Sequence, residues 1–169
     1  MDLASLIRDV PDFPVKGVLF KDITTMLKVG PAMREAVDRI ADHFQGKIDV
    51  VAAIESRGFI FGAPVAYRLS VGFVPVRKLG KLPAKKINES YTLEYGAETL
   101  EMHADAIQPG MRVLIVDDLI ATGGSAHAAL ALIERLGGTV AGLGFLIELK
   151  FLHGREKLTG YEVFSVLQY

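Results

Sequence analysis

The chain has 169 residues, a length that fits one domain and buries about 70% of the unfolded surface, so a disulfide-stapled miniprotein and a multidomain assembly are excluded. Nineteen Lys and Arg stand against 20 Asp and Glu; with a net charge of −1 no whole-molecule field draws the chain to nucleic acid or an anionic membrane. No cysteine is present, which removes thiol catalysis and disulfides, and although half the residues are apolar, charges interrupt every run well short of the roughly 18 residues of a membrane span.

The opening MDLASLIRDV carries Asp2 and lacks a basic-then-apolar leader, so a soluble, cytoplasmic chain is expected. Leu3, Leu6, Ile7 and Val10 have helical spacing and predict a short amphipathic helix stopped by Pro11. A second helix is predicted from 31 to about 44, with Met33, Val37, Ile40, Ala41 and Phe44 as its apolar stripe, Pro31 at its start and Gly46 at its stop. The period then changes. IDVVAAI (48–54), GFVPV (72–76), RVLIV (112–116) and TVAGLGFLI (139–147) are nearly continuous apolar runs rich in β-branched residues, as strands covered on both faces should be. Helical stretches at 59–69 and 125–136 separate strands and imply a parallel sheet. Between them, YTLEY and ETLEM around Gly96-Ala97 predict an antiparallel hairpin. The fold class is therefore α/β, a parallel-rich twisted sheet flanked by helices, with one antiparallel hairpin, in a single domain over 1–169.

The densest chemical signal is RVLIVDDLIATGGSAHAALALIERLGG. A buried strand leads into Asp117 and Asp118, at the edge where parallel sheets bind ligands, and both carboxylates can accept bonds from sugar hydroxyls. Ala121, Thr122, Gly123, Gly124 and Ser125 follow: two hydroxyls, two glycines that allow close backbone approach, and a helix whose free N–H groups favour an anion. A solvated strand end or divalent-ion pair, followed by an ordinary capped turn, is the plain alternative. Better-known motifs fail. Gly80-Lys81 has Pro75 and Leu82 where a Walker loop needs Gly and Ser or Thr; no GxGxxG follows a strand; His127 spoils GxSxG at Ser125; and His43, His103, His127 and His153 show no zinc spacing. Glu55-Ser56-Arg57-Gly58 follows another predicted strand at the same sheet edge, and Arg77, Lys78 and Lys81 form a second basic cluster that reads equally as a charged surface loop.

VLIVDDLIATGGS resembles the signature of the type I phosphoribosyltransferases, an apolar strand, two acids and a Thr-Gly-Gly loop for a ribose 5-phosphate. FPVKGVLFKDIT, ESRGFIFG, RKLGKLP, SYTLEYG and GREKL extend the similarity to the adenine phosphoribosyltransferases, in family order over nearly the whole chain. The resemblance implies a type I phosphoribosyltransferase fold whose hairpin forms part of a hood. It implies transfer of the 5-phosphoribosyl group from 5-phosphoribosyl 1-diphosphate to adenine, giving AMP and pyrophosphate in purine salvage. Mg²⁺ is the expected cofactor, held mainly through substrate oxygens and water rather than by a protein cage, and a homodimer is the expected assembly.

The same resemblance assigns roles. Glu94 would exchange a proton with adenine N7, helped by Tyr91 and Tyr95 in closing the site, although Glu94 on an alternating strand also reads as a solvent-facing carboxylate. Arg57 would hold the diphosphate, Arg77, Lys78 and Lys81 would contact it as part of a mobile loop, and about 79–95 would be the least ordered segment without ligand. Backbone near Leu19 would read the Watson–Crick edge of adenine, Phe20 would stack on the base or serve the core, and Lys21 stands where some relatives carry arginine. A phosphoribosyltransferase for a 6-oxopurine and a non-catalytic sensor of phosphoribosyl diphosphate are the competing readings; the second lacks any separate nucleic-acid-reading module.

Overall fold

The computed structural model describes residues 1–93 and 96–169. A seven-stranded sheet forms the frame. Its strands are β3 (Val50–Ile54), β4 (Gly72–Lys78), β5 (Lys86–Thr92), β6 (Ala97–His103), β7 (Arg112–Ile120), β8 (Thr139–Glu148) and β9 (Val163–Gln168), in the spatial order β5-β6-β4-β3-β7-β8-β9. The five strands from β4 to β9 in that order run parallel, and the β5–β6 hairpin joins them antiparallel. A separate ribbon pairs β1 (Arg8–Val10) with β2 (Phe20–Asp22).

Alternation along the central strands builds two cores. Val50, Ala52, Ile54, Val113 and Ile115 face one side, where Ala129, Leu132 and Ile133 of α4 (Gly124–Arg135) cover them. Val51, Ala53, Leu114 and Val116 face the other, against Ile40 and Phe44 of α2 (Gly30–Phe44) and Phe61 and Val65 of α3 (Gly58–Leu69). Strands covered on both faces have no polar face to show, which is why they read as unbroken apolar runs. A four-residue helix α1 (Thr24–Leu27) precedes α2.

Pro75 lies inside β4 opposite Ala53 without disrupting the ladder. The Val76 carbonyl accepts the Glu55 N–H, so Val76 addresses β3 and Pro75 addresses the opposite edge. There β6 pairs only with Arg77 and Lys78, and the missing N–H of proline costs no sheet bond.

The structure departs from the sequence expectations in three places. Instead of a helix over 3–10, Ala4–Leu6 makes one 3-10 turn and Arg8–Val10 becomes β1. Pairing with β2 overrides the local period, because Arg8 faces Asp22 and Asp9 faces Lys21, opposite charges across the ribbon. The hairpin turn falls before Ala97 rather than on Gly96-Ala97, and its first strand begins at Lys86. Finally, β9 adds an edge strand that the apolar pattern did not single out.

Candidate active site

Three loops converge at the carboxyl ends of β3, β4 and β7, and with the hairpin they enclose a cleft of about 590 Å³. Arg57, Lys78, Lys81, Asp117, Asp118 and the run 121–125 all line it. The acid pair sits within β7 rather than past its end, since β7 stays paired with β8 as far as Ile120 opposite Glu148. Pairing with its other neighbour, β3, ends at Ala53 opposite Val116, and this stagger exposes one flank of Asp117 and Asp118 to the cleft.

Both carboxylates are more than nine-tenths buried. Asp117 Oδ1 accepts the Asp118 N–H at 2.8 Å, while Arg57 Nε donates to Asp118 Oδ2 at 2.6 Å. Burial raises the Asp117 pKa well above the usual carboxylate range, reinforced by the charge of Asp118 and opposed by the Asp118 N–H and Arg57. The Arg57 loop reaches this close because residue 58 is glycine: a Cβ there would lie 2.8 Å from Asp117 Oδ1 and 3.0 Å from the Val116 carbonyl oxygen.

The loop after β7 ends at Gly123, whose φ of +83° lies in the left-handed region. The first α4 bond runs from the His127 N–H to the Gly123 carbonyl, and among the described residues no side chain caps the helix. The amides of residues 124–126 thus lack intrahelical acceptors and lie at the positive end of the dipole, on the cleft wall. A second glycine supports the loop from below. The 3-10 segment Gly154–Leu158, the GREKL run, puts the Gly154 carbonyl oxygen 2.5 Å from a Cβ built on Gly123, and a Cβ on Gly154 would lie 2.5 Å from the Ala121 carbonyl oxygen. Arg155 ties this segment to the sheet through Glu148, with Nε and Nη2 donating at 2.6 and 2.7 Å. Glu148 also accepts from Ser165 at 2.6 Å, and its pKa is lowered chiefly by Arg155.

Opposite the loop, the Tyr91 hydroxyl donates to Glu98 Oε2 at 2.7 Å, and Lys78 Nζ lies 3.5 Å from Glu98 Oε1. A Cβ on Gly124 would come within 2.9 Å of the Tyr91 ring, so the hairpin rests directly on the start of α4. Glu55 accepts from Arg77 Nη2 at 2.9 Å and from the Lys78 N–H at 3.0 Å. Fully buried Glu101 takes the Gly80 N–H at 2.7 Å and pins the turn that carries Lys81.

Not every expected residue joins the cleft wall. Arg77 points to Glu55 and to the Lys81 carbonyl. Phe20 lies beside the site, its ring centre 5.7 Å from Arg57 Cζ, and Leu19 is 49% exposed next to it. Lys21 is turned to the ribbon and the sheet edge, with Nζ 2.6 Å from Asp9 Oδ1 and 3.9 Å above the Tyr169 ring. Glu94 and Tyr95 lie outside the described residues. The sequence places Glu55 at the ligand edge of the sheet without giving it a role, and it does not single out Glu98, Glu148 or Gly154. Of these three only Gly154 had a signal, inside GREKL.

Comparisons with known proteins agree with this geometry. A family model described as a phosphoribosyl transferase domain matches residues 21–166. Adenine phosphoribosyltransferase of Desulfitobacterium hafniense is 58% identical over 170 residues, covering 100% of this chain and 98% of its own. Among solved structures, the adenine phosphoribosyltransferase of Thermoanaerobacter pseudethanolicus superposes with a TM-score of 0.96 at 52% identity, covering 99% of this chain and 98% of its own. That of Saccharomyces cerevisiae, complexed with adenine and an imino-altritol bisphosphate, gives 0.92 at 40% identity, covering 98% and 96%. A cleft that joins an acid pair to an uncapped, glycine-rich helix start, in a chain this similar over its full length, places the protein in the adenine phosphoribosyltransferase family.

Proposed function

We propose that the chain transfers the 5-phosphoribosyl group of 5-phosphoribosyl 1-diphosphate to adenine, forming AMP and pyrophosphate. The C1′–O bond to the diphosphate breaks, a C1′–N9 bond forms, and adenine loses one proton. The observation that carries this reading is the single cleft in which Asp117, Asp118, Arg57 and the amides of 124–126 face one another. Adenine and a sugar bisphosphate analogue together on the yeast relative support the same pair of ligands.

In this reading the amides and hydroxyls of Ala121, Thr122, Gly123, Gly124 and Ser125 hold the 5′-phosphate, and Asp117 and Asp118 take the ribose hydroxyls. Arg57, Lys78 and Lys81 oppose the charge that builds on the departing diphosphate, with Arg77 holding the end of β4 that carries Lys78 through Glu55. Backbone near Leu19 reads adenine beside Phe20, and Lys21 acts on that segment from the ribbon side. Glu94 exchanges the base proton, and the stretch 79–95, with Tyr95, closes over bound substrate and excludes water.

Asp117 and Asp118 offer the oxygen donors that Mg²⁺ takes, but one already serves Arg57 and the other its neighbour's N–H. They therefore fit an ion held mostly by substrate oxygens and water, with the two carboxylates steering that shell. Bound there, Mg²⁺ would neutralise diphosphate charge. No described helix is long and apolar enough to cross a membrane. A cytoplasmic homodimer, as the family resemblance implies, completes the reading.

Pyrophosphate release from phosphoribosyl diphosphate and Mg²⁺, with adenine, hypoxanthine, guanine or xanthine supplied separately, tests it. Turnover with adenine alone is expected. Turnover with a 6-oxopurine overturns the base assignment, and specific ligand binding without turnover on any base overturns the enzymatic reading in favour of a sensor. A Glu94→Gln variant with unchanged turnover and pH profile removes Glu94 from proton transfer.

A further inference from the structure

The cleft proposed to receive a highly charged diphosphate also carries carboxylates; Asp117 takes its neighbour's N–H, and three others each meet a cation. Asp118 holds Arg57 at 2.6 Å, Glu55 holds Arg77 at 2.9 Å, and Glu98 approaches Lys78 at 3.5 Å. The third pair differs from the others. Its cation contact is the longest, and both side chains are more than one-third exposed, whereas Asp118 and Glu55 are largely covered. Glu98 itself is fixed: the Tyr91 hydroxyl holds Oε2 at 2.7 Å, and that hydrogen bond is the main reason its pKa lies below the ordinary range. Tyr91 is held in turn, because its ring lies over Gly124. The carboxylate is thus held by the hairpin's Tyr91 against the start of α4, while the lysine on its other oxygen is exchangeable.

We propose that Glu98 is a positioning residue that competes with pyrophosphate for Lys78. In the empty cleft it holds the ammonium at the ligand-facing wall; when diphosphate is bound, its fixed negative charge nearby weakens the hold and eases departure of the product. This rests on the assignment of Lys78 to the diphosphate. A carboxylate with a purely structural duty would tighten the site, so its neutralisation would weaken binding. Competition predicts the opposite sign.

The test is pyrophosphate affinity, measured by calorimetry with Mg²⁺ and by product inhibition, for wild type, Glu98→Gln, Lys78→Ala and the double variant. Glutamine keeps an acceptor for Tyr91 and removes only the charge. Glu98→Gln is expected to bind pyrophosphate about two- to fivefold more tightly, the range that a partly exposed charge pair commands. That gain is expected to vanish in the Lys78→Ala background, where affinity is already lowered. Unchanged or weaker binding in Glu98→Gln, with Lys78→Ala still weakened, overturns the competition and leaves the diphosphate assignment standing. Undiminished affinity in Lys78→Ala overturns that assignment and the competition with it. An equal gain with and without Lys78 overturns the exchange of the lysine.

Discussion

Replacing Gly123 by alanine puts a methyl group where the backbone of another segment already lies. Two costs combine. Residue 123 has φ +83°, a conformation that costs an L-residue about 1–2 kcal/mol. The new Cβ would also stand 2.5 Å from the Gly154 carbonyl oxygen, a backbone atom that cannot rotate away, and overpacking of this kind adds roughly 1–3 kcal/mol. Gly46→Ala isolates the first cost, since Gly46 has φ +76° and nothing within 4 Å of its built Cβ. The gain from restricting the unfolded chain is common to both variants and cancels. For a domain of this size about 2–4 °C of Tm accompanies each kcal/mol, so Gly123→Ala should melt about 2–12 °C below Gly46→Ala. If the loop yields instead of storing the strain, the KM for phosphoribosyl diphosphate should rise while that for adenine changes little. Thermal unfolding by circular dichroism and steady-state kinetics read both outcomes. Equal Tm and equal KM in the two variants would refute the close contact between Gly123 and Gly154.

Arg155→Ala should cost about 1–3 kcal/mol, since it strips a buried carboxylate of its bidentate partner while Ser165 remains, and the half-exposed arginine holds the figure below that of a fully buried pair. Glu148 has a lowered pKa in the fold, so its contribution is complete above the ordinary carboxylate range and disappears as pH falls through the lowered native value; denaturant titrations across acid pH should show a shallower loss in Arg155→Ala than in wild type. Asp117 behaves in the opposite sense. Its raised pKa means that the protonated fold is favoured at low pH and that this advantage is lost as pH rises from the ordinary carboxylate range through the raised native value. Asp117→Asn should therefore raise Tm at alkaline pH, leave it nearly unchanged at acid pH, and lower turnover; a Tm difference independent of pH would show that the carboxyl titrates normally.

The central sheet was legible because double burial leaves an unmistakable composition at 50–54 and 112–116, and α2 and α4 because one apolar stripe on each meets that sheet. What escaped owes its form to partners distant in sequence. In KINESYT every second residue is exposed, and only pairing with β6 over the full length of Lys86–Thr92 makes it a strand. The edge strand β9 is half-buried from Val163 to Leu167 and exposed at Gln168, so it shows neither an unbroken core run nor a clean alternation. Within the site, the acid pair and the Thr-Gly-Gly-Ser loop are contiguous and announce themselves together. Glu148 and Arg155 form their pair through the return of the GREKL segment beneath the loop, and Glu98 gains its meaning only from Tyr91 and Lys78 around it. No spacing rule encodes either arrangement.

The pairing of Arg57 with Asp118 joins residues 61 positions apart, at the ends of neighbouring parallel strands. A hairpin can zip from its turn, but β3 and β7, adjacent in the sheet, are separated in sequence by α3, β4 and the whole hairpin, and the entropy of closing that loop precedes any reward from the contacts. The local helices and the β5–β6 ribbon can form early at little cost. The cleft cannot, since its two walls are brought together by the slowest kind of contact in the molecule. Catalytic competence is thus a late event in the life of each newly folding chain, acquired only once the parallel sheet has locked.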